Sequence, residues 1–138
     1  MKNLTLFSLF TLFVPTVIAQ EKGAKIYIEN PSKNENSIKV TDELKAKITE
    51  WGYWQVATNE ATADYKINLT SSTSKGITLT SWGGTSYQLV AKIIDKKGTT
   101  TWESDAYKSS PNGTNGFNSG TAVVKKLMRD LKKKFNDK

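Results

Sequence analysis

Apolar residues in this chain recur with two different periods, and the order in which those periods follow one another constrains the fold more than any other feature. Val40, Leu44, Ile48 and Trp51 come every three or four residues, as on one face of a helix, and so do Val124, Leu127, Met128, Leu131 and Phe135. Between these stretches the period drops to two. Tyr65, Ile67 and Leu69 alternate with Lys66, Asn68 and Thr70, Ile77 alternates with Leu79, and Tyr87, Leu89, Ala91 and Ile93 alternate in turn. Such alternation gives a strand one apolar and one wet face. Residues 25–29 add a strand ahead of the first helix, 53–57 a short extended segment and 100–105 a last strand. The order is β-α-β-β-β-β-β-α, which predicts an α+β two-layer sandwich, a mostly antiparallel sheet with two helices packed on one face.

Polar residues and glycines punctuate this pattern. Asn36 or Ser37 can cap the first helix, and Gly52 follows Trp51 where a left-handed C-cap is wanted. Asp64 is placed to make an Asx-turn at a strand entry. Ser71 to Lys75 reads as part of a hairpin, and Gly83-Gly84 can close a tight turn. Asp95-Lys96-Lys97-Gly98 reads as a turn with glycine positioned for a bulge. Lys108 to Gly120, rich in Ser, Asn, Gly and Pro, reads as a loop.

The N-terminus carries one charge, Lys2, and then an uncharged apolar run from Leu4 to Ile18 broken by Ser8, Thr11 and Pro15. A charged n-region followed by an apolar h-region too short to span a bilayer describes a cleavable signal peptide. Cleavage is expected between Ala19 and Gln20, dividing the chain into a leader, 1–19, and one domain, 20–138, with no membrane-spanning segment left after processing. The chain has no cysteine. A small exported domain without disulfides suits a bacterial periplasm, or the medium beyond it, better than an animal secretory pathway.

Three stretches resemble one group of small bacterial envelope domains: Leu44…Ile48…Trp51-Gly52-Tyr53, Ala63-Asp64-Tyr65-Lys66-Ile67, and Ile93-Ile94-Asp95-Lys96-Lys97-Gly98…Thr101-Trp102-Glu103. The pattern is similar to that of the TolB amino-terminal domain, the CsgG-like periplasmic domain and uncharacterised envelope lipoproteins. The resemblance implies a non-catalytic role in envelope assembly, secretion or adaptor complexes, with an envelope protein as partner. It carries no catalytic residues over to this chain, and the chain lacks the acylated cysteine of the lipoprotein members.

The absence of histidine as well as cysteine removes the commonest general base, the commonest metal ligand and the strongest nucleophile, so serine–histidine catalysis is impossible. No metal-ligating spacing and no cofactor motif appears, and neither a metal nor a cofactor is expected. Two carboxylates could still hydrolyse an envelope glycan. Glu103 and Asp105 share one strand face by the period of two and are the candidate pair, although a solvated strand places such residues there routinely. A third reading is a secreted binding or inhibitor domain. For recognition the candidates are Trp82, out of phase with Ile77 and Leu79, Trp102, set among threonines and acids, and Trp54, which periodicity does not place. The net charge of +7 is concentrated near the C-terminus, where Lys125, Lys126, Arg129, Lys132, Lys133 and Lys134 surround the last apolar stripe. Export argues against nucleic acid as a partner and leaves an anionic surface as a contact open to that helix.

Overall fold

Ile26 and Ile28 are buried in strand β1 (Lys25–Glu29) while the residues between them reach the other face, the two-residue period expected of a half-covered strand. The structure is a computed structural model and describes residues 22–75, 85–109 and 119–136. The expected leader with its Ala19–Gln20 cleavage site, Trp82, the alternation at Ile77 and Leu79, and the Gly83-Gly84 turn lie outside the described residues.

Helix α1 (Glu35–Trp51) follows β1 and buries Val40, Leu44 and Ile48 along one side. Its N-cap is Asn34, whose Oδ1 accepts a 2.8 Å bond from the Ser37 amide. The expected cap at Asn36 or Ser37 is therefore corrected by two or three residues. Asn34 is the residue whose extended backbone turns a side-chain oxygen back onto the third amide of the helix. Gly52 closes the helix with φ +69° and donates its N–H to the Ile48 carbonyl, as its position in the sequence requires.

Strand β2 (Gln55–Val56) then pairs in parallel with β1, and after a short 3₁₀ turn at Glu60–Thr62 strand β3 (Tyr65–Lys75) pairs in parallel with the opposite edge of β1. Strand β4 (Thr85–Asp95) runs antiparallel to β3 over eleven pairs, from Tyr65 against Asp95 to Lys75 against Thr85. Ser71 to Lys75, expected as part of a hairpin, forms the outer end of β3 in this antiparallel pair. The ladder partner across from it supplies what the local sequence lacks. Strands β5 (Thr100–Glu103) and β6 (Tyr107–Ser109) both lie on the outer edge of β4, giving the sheet order β2-β1-β3-β4-β5, with β6 beside β5 on β4.

Helix α2 (Ser119–Asn136) packs beside α1, and both close over one sheet face. Ile26, Ile67, Leu69, Leu89 and Ile93 of the sheet meet Val40, Leu44 and Ile48 of α1 and Val123, Val124, Leu127 and Leu131 of α2 in one core. At Gly120 the helices approach so closely that an added Cβ would lie 2.8 Å from Cγ2 of Val40. Thr121 Oγ1, in the same turn, donates a 2.8 Å bond to Glu43 of α1. The other sheet face is covered by no helix among the described residues and carries charge instead. Lys66 lies 3.3 Å from Glu29 and 2.8 Å from Glu60, the Asn68 amide donates to Glu29, and Lys92 sits 3.6 Å from Glu103 across the strands. This is the α+β two-layer sandwich that the apolar periods predict, with both helices on one face of a mixed sheet that is antiparallel in three of its five strand pairs.

Candidate functional site

The edge of the sheet at β5 and β6 is built around one interruption. Trp102 pairs opposite Ile93 and Glu103 opposite Lys92, after which Ser104 takes the place of a ladder residue. Its amide donates to the Ala91 carbonyl at 2.9 Å and its Oγ accepts from the Ala91 amide at 2.9 Å, so a side chain satisfies a backbone group that a continuous strand would have met. The Ser104 hydroxyl donates in turn to the Asp105 carbonyl. The break ends β5 and restarts pairing at Tyr107, opposite Leu89. The strand expected through Asp105 therefore stops at Glu103, and the stretch expected to be loop from Lys108 begins with the last residues of a sixth strand.

The interruption leaves an open hollow of about 620 Å³ between this edge and the C-terminal half of α2. Trp102, Glu103, Ser104 and Asp105 line one side; Arg129, Asp130, Lys133 and Lys134 line the other, with Tyr107 between them. Trp102 is half-buried, resting against the core. The buried Tyr107 donates from its hydroxyl to Oδ2 of Asp130 at 2.8 Å, and Arg129 Nε donates to Oδ1 at 2.9 Å. Desolvation, reinforced by the bond to Asp130, pushes the Tyr107 hydroxyl well above the usual phenol range, so it is held as a donor. The bond from Arg129, followed by the one from Tyr107, holds the Asp130 carboxyl below the usual carboxylate range. On the helix wall Arg129 and Asp130 are thus tied into one network with Tyr107, beside the exposed Lys133 and Lys134. The other wall offers the Trp102 indole and the exposed Asp105, while the Glu103 carboxylate is turned to Lys92 on the uncovered face.

Of the residues singled out from the sequence, Trp102 lies in this hollow together with Glu103 and Asp105. Asp105 is not on the strand with Glu103, because the Ser104 interruption intervenes. Trp54 is 2 % exposed, set edge-on to Trp51 and Tyr53 and 4.9 Å from the Phe135 ring, and it offers no surface for recognition. The sequence around it gives no sign of its packing partner 81 positions away at the end of α2. Asp64 makes no local Asx-turn: its Oδ2 accepts from the Lys25 amide at 2.9 Å, and that bond, opposed by desolvation and aided by Lys96 at 3.4 Å, lowers its pKa. Asp95 does organise its turn, accepting from the amides of Lys97 and Thr99, with Gly98 at φ +81°. Sequence reasoning missed Tyr107, Arg129 and Asp130 as one unit, since the bond joining them spans 23 residues. Among the described residues no cluster of His, Cys, Asp and Glu could hold a metal ion, and no helix is long and apolar enough to cross a membrane.

No protein-family model matches the chain, and no curated protein matches it by sequence. Solved structures match it in fold. A PelC dodecamer from Paraburkholderia phytofirmans, carrying a single substitution, superposes with a TM-score of 0.59 at 13 % identity, over 80 % of this chain and 89 % of that one. A Xanthomonas campestris protein assigned to DUF330 gives 0.57 at 10 % identity over 85 % and 86 % of the two chains. Lipoprotein GNA1162 from Neisseria meningitidis gives 0.53 at 14 % identity over 80 % and 99 %. At these identities the likeness is one of fold, and the fold of this chain is one that occurs among bacterial lipoproteins, PelC and DUF330 proteins.

Proposed function

We propose that this chain is an exported, non-catalytic domain of the bacterial cell envelope that binds a protein partner at the hollow between the β5–β6 edge and α2. The observation that carries the reading is the half-buried Trp102 at a sheet edge beyond which no further strand pairs among the described residues, facing a wall already fixed by Tyr107, Arg129 and Asp130. A partly covered aromatic beside a rigid polar rim is the arrangement in which burying one side chain contributes most to association. An open strand edge adds backbone groups for an extended segment of the partner. The apolar leader supports export to the periplasm or beyond, and the fold shared with bacterial lipoproteins supports the envelope. The finer kinship with TolB amino-terminal and CsgG-like domains belongs to the same reading.

A photo-crosslinking residue in place of the exposed Asp105 tests it in living cells. The expected result is one discrete adduct that disappears when Trp102→Ala is added, and that does not form when the crosslinker replaces Lys39 on α1. No adduct, or an adduct indifferent to Trp102, overturns the reading. Mass spectrometry of the purified protein checks the address, with Gln20 expected as the first residue.

A further inference from the structure

The two helices treat their charges in opposite ways. On α1 each lysine has an acidic neighbour: Lys39 lies against Glu35, Lys45 against Asp42 and Lys47 against Glu50. On α2 six cations stand with one acid, Asp130, which is taken by Arg129 and Tyr107. Lys125, Lys132, Lys133 and Lys134 form no ion pair among the described residues, and Lys126 donates only to the Lys108 carbonyl. Lys132 is near enough to Glu50 to be felt there, but Glu50 is bonded to Lys47 at 3.0 Å. At about 100° per residue Lys125, Arg129, Lys132 and Lys133 fall within an arc of about 100°, opposite the buried Val124, Leu127 and Leu131. A helix whose neighbour is neutralised pair by pair thus presents a cationic face on which Lys125, Lys132 and Lys133 have no ion-pair partner among the described residues and only Arg129 is paired.

We propose that this outward face of α2 docks on the surface of a bilayer containing anionic phospholipid. The chemistry of the cations favours that occupant. Five of the six are lysines, compact charges on flexible stems, and the single arginine is already engaged. Such a set has no preformed fork for a fixed phosphate or carboxylate, and it suits headgroups that are mobile and carry charge without fixed geometry. No acid on the arc complements basic groups of a structured protein partner. Because the apolar stripe is buried in the core, the helix adsorbs and does not insert, and the attraction is screened by salt.

Co-sedimentation of the protein, purified in the form its own cells accumulate, with phosphatidylcholine vesicles containing one third phosphatidylglycerol tests the proposal. Binding is expected to these vesicles and not to pure phosphatidylcholine, and it should be lost between about 0.1 M and 0.5 M salt, where the screening length shrinks about twofold. The Lys125→Gln/Lys132→Gln protein should partition about 25-fold more weakly, at about fivefold per charge. The Lys45→Gln/Lys47→Gln protein, with the same net charge, should lose less than about threefold. Equal loss in both variants, equal binding to neutral vesicles, no binding at low salt, or tighter binding to polyglutamate or duplex DNA than to the anionic vesicles would each overturn it. Neither Lys125 nor Lys132 lines the hollow, so this result and the Asp105 crosslink stand or fall separately.

Discussion

The Tyr107 hydroxyl and the Asp130 carboxylate, 2.8 Å apart, join the last strand of the sheet to the middle of the last helix. Both groups are committed by their surroundings, the phenol to remaining protonated and the carboxyl to remaining ionised. Tyr107→Phe is expected to lower stability by about 1.5–3 kcal/mol at neutral pH, the range for a bond to a charged acceptor. The Asp130 pKa is depressed in the folded state, so the stabilisation is present above the ordinary value of 3.8 and is lost as pH falls through the depressed one. Urea titrations of both proteins should therefore diverge at pH 7 and draw together as pH falls below the ordinary value of 3.8 and through the depressed one.

Tyr87 offers the opposite case. Its hydroxyl is buried and meets no hydrogen-bond partner among the described residues. Tyr87→Phe removes a desolvated polar group and leaves the ring in place, so stability should be unchanged or rise by up to about 1 kcal/mol. A clear fall in the urea midpoint would contradict this.

The first helix should be sensitive at Asn34 and indifferent at Asn36. Asn34→Ala removes the acceptor of the Ser37 amide and is expected to cost about 1 kcal/mol, whereas Asn36→Ala, exposed within the first turn, should change stability by less than about 0.5 kcal/mol. Thermal unfolding of the two variants side by side distinguishes them.

Gly120→Ala would ordinarily stabilise a helix by about 0.4–1 kcal/mol. Here the new methyl meets Cγ2 of the buried Val40 at 2.8 Å, and a β-branched side chain in a packed core has little room to turn away. A loss of about 1–3 kcal/mol is expected. The loss should be smaller in a Val40→Ala background, a non-additivity that a double-mutant cycle measures.

The fold was legible wherever one residue's surroundings are set by its near neighbours. Val40, Leu44 and Ile48 mark a helix because they lie on one side of it, and Tyr87, Leu89, Ala91 and Ile93 mark a strand for the corresponding reason. Gly52 and Asp95 carry their turns in their own chemistry. Ser71 to Lys75 and Tyr107 to Ser109 have no such local mark: the former run is nearly all hydroxyls and the latter has three residues, and β4 makes strands of both by offering a ladder. The site divides in the same way. Trp102 stands out among threonines in the sequence, but the wall that faces it comes from α2, and no period reveals that Asp130 will lie beneath Tyr107.

The eleven-residue strand β3 has two unlike halves. From Tyr65 to Asn68 it runs between β1 and β4; from Leu69 onward β4 is its sole strand partner among the described residues. Its composition changes at the same point, from Ile67 and Leu69 to Thr70-Ser71-Ser72-Thr73-Ser74. Amides in the first half meet a strand whichever way they point, and those in the second that point away from β4 meet no ladder among the described residues. Deuterium uptake should thus rise along a single strand, slow at Ile67 and fast past Thr70, so that one continuous element opens in two stages, the outer half well before the sheet as a whole.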